Sequence, residues 1–185
     1  MKINIDFFTR FFAQDFLFEY SHVNYTDMVG GRRCFHMDCS GFVAWSLMQM
    51  GYVRALVELR SFLKAHDFIK INRFFCKDFA FIFRRKKQFK YWSFLPEPVS
   101  GCLLIILFPD GNGHCMFVDK VLAKGALRVI DCTRYPHKHD TRADKPGIGV
   151  GEITLECTQG RWFYNSHHPA HSKSQVDVYF VLPTK

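Results

Sequence analysis

Apolar residues recur at helical spacing through the first half of the chain and in continuous or alternating runs through the second. Over positions 4–20, Ile5, Phe8, Phe12 and Phe16 share one face, widened by Phe7 and Phe11, which predicts an N-terminal helix packed on a core. Beyond Asp38, the residues Phe42, Val43, Leu47 and Met50 repeat at helical spacing until Gly51. This predicts a helix over 39–50 with Asp38 as its N-cap. Another helix is expected over 53–66, and the segment up to about 93 also reads as helical. The pattern then changes, and strands are predicted near 102–108, 114–122, 126–131, 150–155 and 176–182. Early helices followed by late antiparallel strands make an α+β fold, with N-terminal helices packed on a small antiparallel sheet.

The best candidate chemistry lies where these two halves meet. Cys39 is the first residue of its helix, where the positive end of the helix dipole favours the thiolate. His114 enters a buried strand from the turn Asp110-Gly111-Asn112-Gly113. After the turn at Lys124-Gly125, the partner strand ends on Asp131, within reach of the His114 ring. A thiol, an imidazole and a carboxylate in that arrangement are a nucleophile, a base and an orienter. Each alone has an ordinary structural reading: a buried free thiol, a turn histidine, a strand-end acid. Their joint occurrence carries the catalytic one.

The same residues carry a family resemblance. Asp38-Cys39-Ser40-Gly41-Phe42-Val43 resembles the D-C-S-G-[LF]-V signature of the NlpC-type and CHAP-type papain-like cysteine hydrolases. In those enzymes the cysteine begins a helix, a histidine begins a later strand, and a third polar residue follows on the next one. Tyr25 and the pair Gly30-Gly31 resemble the upstream tyrosine and Gly-Gly, the tyrosine contributing to the oxyanion site; Asp38 and Ser40 would flank the substrate cleft. Arg128-Val129-Ile130-Asp131-Cys132-Thr133, Asp140-Thr141-Arg142 and Gly147-Ile148-Gly149-Val150-Gly151 resemble a poorly characterised bacterial branch. Gly101-Cys102-Leu103 stands where these families place G-D-[LV]. The resemblance implies a papain-like α+β fold over one domain, 1–185, and a cysteine peptidase or amidase that cleaves an amide bond, with peptidoglycan stem peptides as the substrate class. The same triad could serve an acyltransferase, deamidase or protease inside a cell or a host cell. A non-enzymatic module that binds membrane or nucleic acid is the remaining alternative.

Composition narrows the setting. The 185 residues are 48% hydrophobic, enough for one sizeable core, and the 21 phenylalanines fall mostly in periodic runs that signal packing. Charges at Lys2, Asp6, Arg10 and Asp15 interrupt any secretory signal. Seven cysteines without a short-spaced framework favour a reducing compartment, so a cytoplasmic location is expected, or export by a route without a classical signal. The net charge of +8 suits an anionic partner, and Arg84, Arg85, Lys86 and Lys87 among aromatics form the clearest patch, which reads first as a solvated helix end. No specific nucleic acid is expected. His36, on the extended approach to the helix, should point away from Cys39. His137, His139 and Asp140, near Cys132, lack a C-x-x-C or H-E-x-x-H context, so no metal or cofactor is expected; Asp140 and Arg142 read as loop pins. His167, His168 and His171 read as a surface loop.

Overall fold

The computed structural model describes residues 3–66, 73–85, 88–142, 145–167 and 173–185. Helix α1 (Asp6–Phe12) covers only the first part of the expected 4–20 helix. The chain turns at Ala13 and Gln14, and β1 (Leu17–Tyr20) follows. Phe16, Phe18 and Tyr20 also alternate with period two, and that reading wins because β1 gains a partner. It pairs in parallel with β3 (Arg32–Met37), and the Phe16 and Phe18 rings meet Phe35 at 5.1 and 5.8 Å. The antiparallel β2 (Tyr25–Val29) completes a three-stranded sheet in the order β1-β3-β2, through a hairpin turn at Gly30-Gly31.

Helix α2 (Cys39–Gln49) starts at the expected residue because the Asp38 side chain accepts a 2.8 Å bond from the Gly41 backbone N–H. A Cβ on Gly41 would come within 2.3 Å of the Asn24 side chain, so the D-C-S-G turn needs glycine there. Helices α3 (Val53–Lys64) and α4 (Cys76–Arg84) follow. The expected helix up to about 93 gives way to strand β4 (Trp92–Leu95), which pairs with the end of the last strand while the Trp92 indole donates to the Ala55 carbonyl at 3.0 Å.

The remaining strands are β5 (Leu103–Leu107), β6 (Gly113–Val121), β7 (Ala126–Thr133), β8 (Gly147–Thr158), β9 (Arg161–Asn165) and β10 (Ser174–Pro183). They run in the order β10-β5-β6-β7-β8-β9, and pairing of Ser174, Gln175 and Val176 with Tyr164, Phe163 and Trp162 closes them into a six-stranded barrel. The papain-like α+β expectation is therefore corrected. Among the described residues strand makes up 41% and helix 23%, so the described structure is mainly β, built on a closed barrel with four short helices instead of a helical N-terminal part against a small antiparallel sheet. The reason lies in β9 and β10. Alternation within a strand says which face is apolar, but whether the two outermost strands meet depends on twist and register.

Closure gives two cores. Leu104, Ile106, Met116, Val118, Val129, Ile153 and Phe180 fill the barrel, while Leu103, Ile105, Cys115, Phe117, Ile130 and Cys132 point outward onto the helices with Phe8, Phe42 and Leu47. Burial on both faces explains why β5 reads as an unbroken Leu-Leu-Ile-Ile-Leu.

Candidate active site

Asp38 organises the entry to α2. Its buried carboxylate takes Gly41 N–H and the Ser40 hydroxyl, each at 2.8 Å, and Arg73 at 2.7 Å, with His22 Nδ1 at 3.5 Å. Ser40 is thereby committed to the cap. Cys39 begins the helix and lines a cavity of about 890 Å³ together with Tyr20, His114, His137, Tyr164 and Gln175. Its thiol is held well below the ordinary range. Hydrogen bonds from the Cys115 and Cys76 thiols do most of this, burial opposes it, and the charge of His114 adds to it.

His114 and Asp131 reach the same end of the barrel from adjacent strands. Each follows the inward alternation of its strand, with Met116 and Val118 on β6 and Leu127 and Val129 on β7. The register pairs Phe117 with Ile130, so His114 and Asp131 are diagonal neighbours, a span that an imidazole bridges. His114 Nε2 bonds Asp131 Oδ2, which leaves Nδ1 for the hydrogen bond with Cys39. Burial alone would lower the His114 pKa, but the Cys39 thiolate and Asp131 outweigh it and raise it to about 10. The favoured state is a thiolate beside an imidazolium.

Asp131 has 0% exposure, and a bare carboxylate at that depth would not stay ionised. Burial pushes its pKa up, and the Arg142 cation, His137 and His114 more than reverse this, holding it well below the usual carboxylate range. Oδ2 takes His137 Nε2 at 2.8 Å as well as His114, while Oδ1 takes Arg142 Nη1 at 2.8 Å. Arg142 is in turn clamped by Asp140, through Nε to Oδ1 at 2.7 Å and Nη2 to Oδ2, and Nη1 also reaches the Gly147 carbonyl at 3.1 Å. The loop can fold this close because β8 carries glycines beneath it. A Cβ on Gly149 would sit 2.5 Å from Arg142 Cγ, and one on Gly151 2.6 Å from Asp140 Oδ2.

The structure thus brings together Cys39, His114 and Asp131. It does not bring Tyr25 to them. Tyr25 lies on β2, half exposed and stacked on the His36 ring, whereas Tyr20, Tyr135 and Tyr164 are the tyrosines that line the cavity with Cys39. Burial, with Cys39 and Asp38 nearby, pushes the Tyr20 phenol well up, so it remains a hydroxyl donor. Asp38 and Ser40 serve the helix cap. Cys132 donates to the Met37 carbonyl at 2.9 Å, His139 is exposed near Glu152, and His167 bonds the Thr154 hydroxyl at 2.7 Å. Arg84 pairs with Asp177 at 2.5 Å and Arg85 lies over the Phe81 ring. Lys86, Lys87, His168 and His171 lie outside the described residues.

Sequence reasoning left Tyr20 and His137 out of the site. Tyr20 carried no signal beyond the end of an apolar run, whereas His137 stands three residues before the Asp140-Thr141-Arg142 motif that anchors Asp131. The ligating atoms of His114, Asp131 and His137 also lie within 4.8 Å of one another, but an ion there would share Asp131 with the Arg142 cation. A smaller recess of about 180 Å³ between Phe7, Tyr52 and Lys185 is lined by no thiol, imidazole or carboxylate side chain. Among the described residues no helix is long and apolar enough to cross a membrane.

Comparisons with protein-family models, curated proteins and solved structures find no significant match. The chemistry rests on the residues. An ionised sulfur at a cavity wall, with a protonated imidazole behind it and a buried anion behind that, can attack an electrophilic carbon and hand a proton to the group that leaves.

Proposed function

We propose that the protein is a cysteine hydrolase that cleaves an amide bond, with peptidoglycan stem peptides as the substrate class that its likeness to NlpC-type and CHAP-type enzymes suggests. The observation that carries this reading is geometric: Cys39, the first residue of α2, and His114 line one open cavity, and His114 Nε2 is bonded to the buried carboxylate of Asp131.

In the first half-reaction the Cys39 sulfur attacks the amide carbon and the carbonyl electron pair moves to oxygen. In this reading the backbone N–H of Cys39 at the start of α2 and the hydroxyl of Tyr20, which lines the same cavity, donate to that oxyanion. As the tetrahedral centre collapses, the C–N bond breaks and His114 Nδ1–H protonates the departing amine, leaving a thioester on Cys39. His114, now neutral, takes a proton from water as its oxygen attacks the thioester; the C–S bond breaks, and the acid leaves with thiolate and imidazolium restored. Asp131 carries no proton in this cycle. It keeps the ring oriented and offsets its charge, and Arg142 and His137 keep Asp131 ionised.

The test uses purified protein with muropeptides and with a peptide bearing a thiol-reactive amide analogue. Release of a new amine from the muropeptide and labelling at one residue are expected for wild type, and neither for Cys39→Ala. Wild type that shows no Cys39-dependent labelling contradicts the hydrolase reading; labelling without muropeptide cleavage contradicts only the substrate.

A further inference from the structure

The small sheet carries a second cluster that the proposed reaction does not use. Along β3, Phe35 and Met37 enter the apolar core, so Cys34 and His36 occupy the opposite face. Yet they are 0% and 5% exposed, and Cys34 belongs to neither apolar cluster. Their cover is polar and aromatic. Parallel pairing sets Glu19 of β1 beside His36, and antiparallel pairing sets Asp27 and Tyr25 of β2 opposite Cys34 and His36. His36 Nδ1 lies 3.2 Å from Glu19 Oε2, and His36 Nε2 lies 2.9 Å from Asp27 Oδ1. The Tyr25 ring stacks on the imidazole at 4.0 Å with 6° between planes. The ligating atoms of Glu19, Cys34 and His36 all lie within 4.8 Å of one another.

We propose that Glu19, Cys34 and His36 bind a divalent transition ion of the zinc type, with water as the fourth ligand, and that the ion ties β1 to β3. Three features support it. A tetrahedral ion with N and O bonds of about 2.0–2.1 Å holds those atoms about 3.3 Å apart, close to the nitrogen-to-oxygen spacing seen between His36 and Glu19. The nitrogen of His36 that faces away from the cluster is bonded to a carboxylate, Asp27, which is how metal-bound imidazoles are usually oriented. One thiolate, one imidazole and one carboxylate form a donor set that prefers zinc over magnesium or calcium, which favour all-oxygen sites. The Glu19 side chain is 64% exposed, so the ion has a route in and a chelator a route to it.

The experiment is a titration of chelator-treated protein with Co²⁺, read by near-ultraviolet absorption from thiolate-to-cobalt charge transfer. One equivalent should saturate the band and Zn²⁺ should bleach it. Cys34→Ser should remove the band while Cys39→Ser retains it. Asp27→Asn should weaken binding about 10- to 100-fold, the usual cost of losing such a partner. Glu19→Gln, a change at an exposed side chain that leaves the fold intact by its melting curve, should weaken binding at least tenfold. No saturable band, a band that survives Cys34→Ser, or unchanged affinity in Glu19→Gln overturns the proposal. So does a band lost with Cys39→Ser, which puts the ion at the barrel mouth. None of these readouts depends on turnover, so failure of the hydrolase reading leaves the result distinct.

Discussion

The molecule uses cysteine, histidine and aspartate together twice, once at the barrel mouth and once on the small sheet, and the surroundings separate the two. At the mouth, Cys39 starts a capped helix, receives hydrogen bonds from two other thiols and faces an imidazolium; its anion is favoured. On the sheet, Cys34 has no helix beneath it, and burial with the carboxylates of Glu19 and Asp27 pushes its pKa up. Asp131 is sealed and locked by Arg142, whereas the Asp27 side chain is 45% exposed. His114 lines a large cavity, and His36 is roofed by Tyr25. Residue type sets what chemistry is available. Access, helix position and the cation behind the acid decide which chemistry each cluster suits, and our two proposals assign a nucleophile to one and a metal ligand to the other.

The largest expected effect is on turnover. Cys39→Ala should lower kcat by about 10⁴-fold or more, as losing the nucleophile of a triad does. Measured against muropeptide cleavage, a loss under tenfold means that another group attacks and removes the contrast at its root.

The two acids should differ next. Asp131→Ala removes one of the two carboxylates on the buried Arg142 cation and leaves the buried His137 and His114 Nε2 atoms without their acceptor, so it should destabilise the fold by about 3–5 kcal/mol, whereas Asp27→Ala in metal-free protein breaks a half-exposed pair and should cost about 1 kcal/mol or less. Chemical denaturation measures both; equal losses contradict the sealed-versus-open distinction. Asp131→Asn keeps an acceptor for His114 but no charge for the imidazolium. It should retain Cys39 labelling while turnover falls by about 10- to 10⁴-fold. Undiminished turnover in Asp131→Asn means that a different group orients His114.

The pH response follows from the signs of the shifts. A lowered Cys39 pKa means the thiolate persists as pH falls and is lost only at the depressed value, while a raised His114 pKa means the imidazolium is lost on the alkaline side, near pH 10. Alkylation of Cys39 at pH 6 should exceed that of a free cysteine peptide by on the order of 100-fold, because an ordinary thiol is almost wholly protonated there. Equal rates contradict the activated sulfur. Stability has its own limb. Asp131, with its pKa depressed in the fold, stabilises the native state fully above the ordinary aspartate pKa, and this is lost as pH falls through the depressed value.

Local signals made much of this legible in the sequence. Asp38 capping at Gly41 announces where α2 begins, and the turn at Lys124-Gly125 announces that β6 and β7 are neighbours, which is enough to bring Asp131 near His114. The non-local events were not legible. Phe16, Phe18 and Tyr20 suit either a helix or a strand, and only pairing with β3 decides. No strand is predicted over β9, and its closure onto β10 turns the expected small antiparallel sheet into a barrel. His137 and Arg142 reach Asp131 only because Gly149 and Gly151 clear the space, a fact of tertiary packing that spacing along the chain does not record.

The smallest expected effect separates the two tyrosines. Tyr25 holds the place that the family resemblance gives to an oxyanion donor, yet its ring covers His36, and it is Tyr20 that lines the cavity with Cys39. A side-chain donor that shares the oxyanion with a backbone N–H is worth about 10- to 100-fold in kcat. Tyr20→Phe should therefore lower kcat by that amount with little change in KM, because the hydroxyl acts on charge that develops only in the transition state. Tyr25→Phe keeps the stacked ring and should leave kcat within about twofold, as removal of a hydroxyl remote from the developing charge does. If Tyr25→Phe loses turnover and Tyr20→Phe does not, the oxyanion donor comes from β2 and not from the end of β1, and the division of labour between the two clusters is wrong.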